Sequence, residues 1–166
     1  MIIYIHLSWD INKFNMENFF DLRPGNFLFY NVYDERRIIE FRGYIGSNLD
    51  RADFCMSGGI HTLNARYCRP IPLTANLLRY ICVDTMCGVN DLENGRIQLT
   101  INSESGIRNF IPLIPMDGGE NLSYDTSEPV IMYLHNLQNE ILGALHVDSG
   151  SIFSWERVND FFYSER

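Results

Sequence analysis

Apolar and polar residues alternate along this chain in short runs, and turn-forming residues break each run before it can grow long. Residues 26–33 set Phe27, Phe29 and Asn31 against Leu28, Tyr30 and Val32, and residues 37–45 alternate again after Asp34 and Glu35. A period of two sends successive side chains to opposite faces of an extended backbone. These two runs predict a β-hairpin. Residues 77–86 alternate as a further strand. Glu93-Asn94-Gly95-Arg96 then supplies the strongest local signal, because Asn-Gly tolerates the positive φ angles of a type I′ turn.

Strands follow over 96–102 and 107–114 around a turn at 103–106. Pro112 and Pro115 point to an edge position for the second of these, since proline cannot donate to a ladder. Residues 129–137 and 140–147 predict another hairpin about Gln138 and Asn139, and residues 2–7 a first strand. Helical expectations are few: one or two turns over 15–22, a short helix over 49–56 in the irregular stretch 47–72, and a helix over 155–163 capped by Ser154. In the last of these, Trp155, Val158, Phe161 and Phe162 share one face.

Composition agrees with a β-rich chain. Alanine occurs only at positions 52, 65, 75 and 144, and Lys13 is the one lysine beside 12 arginines. Both are strong helix formers, whereas the abundant Ile, Phe, Tyr and Asn suit strands and turns. The expectation is a single mainly β domain over residues 1–166. It is an antiparallel β-sandwich, with the jelly roll as the specific variant, carrying one or two short helices including a C-terminal one.

The formal charge of −8 argues against a protein whose main task is gripping phosphates. No apolar run reaches the roughly 20 residues needed to cross a bilayer as a helix. The first nine residues lack a basic start and a small-residue cleavage site, so an export signal is not expected and a cytoplasmic setting is. Arginine cannot be ubiquitinated or acetylated as lysine can. The lysine deficit therefore fits a host-directed viral or bacterial accessory protein, and fits still more readily drift or lineage bias in a small protein.

Four cysteines, Cys55, Cys68, Cys82 and Cys87, are read as reduced and buried. Cys55 with His61, or with His146 and Asp148, holds the residue types of a cysteine hydrolase. The cysteines with His61 could also ligate zinc, although their spacings are loose for a closed site. No glycine-rich phosphate loop followed by lysine is present. No catalytic residue, metal or cofactor is assigned.

Two features suit a protein partner instead. Arg36, Arg37, Arg42 and Arg66, with Arg69 nearby, lie among Tyr30, Tyr33, Phe41, Tyr44 and Tyr67. Arginine and tyrosine provide large contacts at little entropic cost. The mixture could also stack bases, but the acidic chain makes nucleic acid the weaker choice. The polar stretch 115–128 is the other candidate, with Met116, Leu122 and Tyr124 as its apolar contacts. The leading expectation is a non-catalytic protein-interaction module acting inside a cell. A self-assembling jelly-roll subunit and a cysteine-dependent hydrolase are the alternatives.

Overall fold

The computed structural model describes residues 22–44, 51–56, 59–82, 87–116, 121–127, 129, 132–145 and 153–164. The strand expected over 2–7 and most of the helix expected over 15–22 lie outside them. Two antiparallel sheets form. The first contains β1 (Phe27–Val32), β2 (Glu35–Tyr44), β3 (Arg51–Met56), β4 (Gly59–Asn64) and the two-residue β5 (Cys68–Arg69), in the order β4-β3-β2-β1-β5. The second contains β6 (Cys87–Asp91), β7 (Ile97–Asn102), β8 (Arg108–Met116) and β9 (Asn121–Tyr124), in chain order. Among the described residues three α-helices accompany them: α1 (Ala75–Ile81), α2 (Leu134–Leu145) and α3 (Trp155–Tyr163).

The β1–β2 hairpin forms as expected, with Phe29 opposite Ile38 and Val32 opposite Glu35. The turn into β7 also forms, with Asn94 at φ 60, ψ 32 and Gly95 at φ 72, the positive angles a type I′ turn demands. Ser154 caps α3 as expected, its hydroxyl accepting from the Arg157 amide at 3.4 Å.

Three predicted elements take the other kind of secondary structure over their described residues. The helix predicted over 49–56 is strand β3, paired with β2 through Phe41 opposite Phe54 and shifted by a bulge between Phe41 and Gly43. The strand predicted over 77–86 is instead helix α1, with Leu77, Leu78 and Ile81 on its buried side and the Thr74 hydroxyl accepting from the Leu77 amide at 3.1 Å. The hairpin predicted over 129–147 is helix α2, where Leu134, Leu137, Ile141 and Leu142 recur at helical spacing on the buried face. Short apolar runs satisfy both periods, and the caps and packing decide between them.

Strand β8 is interior, not the expected edge, lying between β7 and β9. Its prolines fit because of where their nitrogens point. The Asp125 amide donates to the Pro112 carbonyl at 3.1 Å, so Pro112 turns its backbone toward the side of β9 and meets it just past that strand's last residue. By alternation Pro115 faces the β7 side, beyond Ile97, where that ladder has already ended. Neither missing N–H breaks a pairing.

Among the described residues the chain completes one sheet before it begins the other, whereas a jelly roll passes back and forth between its two sheets. The larger apolar cluster takes Phe27, Phe29 and Ile38 from the first sheet. It takes Ile97, Leu99, Ile101, Ile111, Leu113 and Leu122 from the second, together with side chains of all three helices. Helix α2 packs on β1, α3 on β2, and α1 on α3. A second cluster of Leu28, Ile39, Phe41, Ala52, Phe54 and Cys68 lies on the other face of the first sheet, which is thus buried on both sides. No helix among the described residues is long and apolar enough to cross a membrane.

Candidate interaction face

Tyr30 stands at the centre of the Arg/Tyr group. It lies opposite Arg37 on β2 and opposite Cys68 on β5, and its ring meets Tyr67 edge to face at 6.3 Å. Arg66 lies over the Tyr67 ring at 4.7 Å and donates from Nη2 to the Tyr67 hydroxyl at 2.6 Å. Asn64 fixes this turn, its side chain accepting from the Arg66 amide at 3.1 Å. Burial lifts the Tyr30 phenol above its ordinary range, with Cys68 and Tyr67 adding to the effect.

Beside this cluster is a hollow of about 550 Å³ lined by Tyr30, Tyr33, Asp34, Glu35, Arg37 and Met56. Arg37 donates to Glu35 at 2.7 Å, an exposed pair that holds the guanidinium at the rim. Tyr33, at the tip of the β1–β2 turn, is fully exposed and carries a φ of 55°, an uncommon conformation for a bulky residue.

The remaining residues of the expected group are dispersed. Arg36 points to the opposite face from Arg37, over the Phe29 ring at 4.2 Å and the Phe162 ring at 5.9 Å. It ties α3 to the sheet, so it is not part of the Tyr30 surface. Arg42 is the extra residue of the bulge and pairs with Glu40 at 3.4 Å. Tyr44 ends β2 opposite Ala52. Arg69 donates to the carbonyls of Arg66 and Cys68.

The stretch 115–128 is not simply a loop. Strand β8 runs on to Met116 and pairs it with Asn121 of β9. Leu122 is wholly buried, and Tyr124 is partly buried against the larger cluster. Leu122 is therefore a core side chain and cannot touch a partner. The missed signal is alternation across 121–124, hidden by the preceding run of glycines and acidic residues.

Catalytic and metal arrangements involving His61 do not assemble. Cys55 lies opposite Ile60 while His61 lies opposite Phe54, so the thiol and the imidazole project from opposite faces of one sheet. His146 and Asp148 lie outside the described residues. Among the described residues no three His, Cys, Asp or Glu side chains gather where a metal could sit. Cys55, Cys68 and Cys82 are free thiols. Burial pushes Cys68 far up, and hydrogen bonding to Cys87, then burial, does the same to Cys82. No protein-family model matches the chain, and no curated protein matches it.

Proposed function

We propose that the chain is a non-catalytic protein-interaction module acting inside a cell, a single β-rich domain whose sheets pack as a helix-filled sandwich. Its docking face is the surface of Tyr30, Tyr33, Arg37, Met56, Arg66 and Tyr67. The observation that carries this reading is the fully exposed Tyr33 at a strained turn beside a hollow walled by preoriented Tyr and Arg side chains. An aromatic group held out of the core at positive φ stores strain of the order of 1–3 kcal/mol, a cost commonly associated with functional surfaces. Tyr30 and Arg66 each hold Tyr67, so little side-chain freedom is left to lose on binding.

The partner is a protein presenting an apolar or aromatic side chain to the hollow and a carboxylate or carbonyl to Arg37. The lysine-poor surface suits a host-directed accessory protein. The test compares cross-linked complexes of the full chain with those of a Tyr33→Ala, Arg37→Glu variant. Loss of a defined set of cross-linked proteins at an unchanged melting temperature supports this face. An identical set in both would remove it.

A further inference from the structure

Among the described residues, three of the sheet edges are managed and one is not. The outer edge of β9 is closed by neighbouring chain, the Leu122 amide donating to the Leu73 carbonyl and the Met132 amide to the Leu122 carbonyl, each at 2.9 Å. The edge of β1 is closed by β5 and by Gln138, which accepts from the Phe27 amide and donates to the Gly25 carbonyl, each at 2.9 Å. Strand β6 ends in Asp91, paired with Arg79. Strand β4 has none of these devices. All six of its residues pair with β3 on one side, and nothing among the described residues pairs with the other.

Its sequence, Gly-Ile-His-Thr-Leu-Asn, contains no Lys, Arg, Asp, Glu or Pro, and the β3–β4 register shows no bulge. Those are the features by which natural edges usually discourage pairing. Ile60 is 70% exposed on it. Alternation also shows which backbone groups are open. The Phe41 amide donates to Asn26, so Phe41 faces β1 and Glu40 faces β3. Cys55 then faces β2, His61 faces β3, and Ile60 and Thr62 turn their N–H and C=O groups outward.

We infer that β4 is a self-pairing edge, through which two copies of the chain join antiparallel and continue their five-stranded sheets into one. An antiparallel edge complements itself about a two-fold axis, with Ile60 of one copy opposite Thr62 of the other. Copies of a chain carrying −8 repel one another overall, but this strand brings no formal charge of its own to the contact. One pair of six-residue strands buries less than the roughly 1,200 Å² of a standard stable interface. The dimer is accordingly weak and concentration-dependent. This inference is independent of the Tyr30 face.

The test is sedimentation of the full chain from micromolar concentration to about 1 mM, a span chosen for weak association, alongside amide hydrogen exchange. The expected result is a monomer–dimer equilibrium, with protection of the Ile60 and Thr62 amides rising with concentration. Ile60→Lys should weaken association at least tenfold while leaving the melting temperature unchanged, and Thr62→Pro, which also gives up the Thr62 hydroxyl bond to Asp53, should weaken it likewise by removing an outward donor. Three results overturn the inference. One is a monomer throughout, whether or not it binds an extended peptide of another protein. The second is a dimer indifferent to both variants. The third is protection of those amides that does not vary with concentration, which places the cover within the same chain.

Discussion

Tyr124 shows how one residue changes meaning between sequence and fold. It was a candidate contact on a polar loop, yet it sits on β9, partly buried against the larger core cluster. Burial, with the Glu140 carboxylate adding to it, pushes its phenol up to about 12. The unfolded phenol ionises near pH 10. The folded state therefore favours the neutral ring. The stability this contributes is whole below pH 10 and is lost as pH rises through about 12. Tyr124→Phe keeps the ring and should flatten the fall in melting temperature across that window. A slope identical to the parent would assign the alkaline loss to other groups, with the buried thiols of Cys68 and Cys82 first among them. Leu122, one turn of the pleat away, has the same lesson in simpler form, because a wholly buried side chain cannot serve a partner.

At the scale of elements, the joint between β1 and α2 decides most. Gln138 is buried, and its amide replaces the strand that β1 would otherwise need at Phe27 and Gly25. Asn26 next to it accepts from the Arg23 amide and donates to Asn139 of the same helix. Gln138→Ala leaves a buried donor and a buried acceptor unpaired, a loss of roughly 2–6 kcal/mol at 1–3 kcal/mol per group. Chemical denaturation measures it, and a change below about 0.5 kcal/mol, the size of a surface substitution, would mean that water satisfies both groups. The same joint explains the misread hairpin over 129–147. Gln138-Asn139 looks like a turn in one dimension, yet both residues are helical, Gln138 reaching the backbone at Phe27 and Gly25 and Asn139 the Asn26 side chain. For α1, the Thr74 cap and Ala75 were the available helix signals, outweighed by a run that alternates as well as it repeats.

For the whole molecule, the clusters on the two faces of the first sheet and the position of α3 determine how much surface is left for function. Trp155 donates from its indole nitrogen to the Ile38 carbonyl at 3.0 Å, and Arg36 bridges Phe29 and Phe162, so α3 is fastened to β1 and β2. Trp155→Phe should cost about 1–2 kcal/mol through the orphaned carbonyl, read by urea denaturation. A neutral result would mean α3 is held by its apolar face alone. Arg36 lies on the sheet face given to α3 and the larger cluster, exposed but stacked on Phe29 and Phe162 and away from the Tyr30 face. Arg37, one residue on, lies on the Tyr30 face.

Period-two alternation, Asn-Gly chemistry and a helical repeat behind the Ser154 cap were enough to specify the β-rich character, the β1–β2 hairpin, the type I′ turn and the capped C-terminal helix. Each depends on neighbours within a few residues, so each is local. Tertiary structure alone decided which short apolar runs became α1 and α2, that β8 is interior despite its prolines, and which arginines gather about Tyr30. Those outcomes depend on which distant backbone groups and side chains a segment meets: Gln138 at Phe27, Asp125 at Pro112, Cys68 at Tyr30. A linear pattern carries the period of a segment but not the identity of the surface it will be buried against.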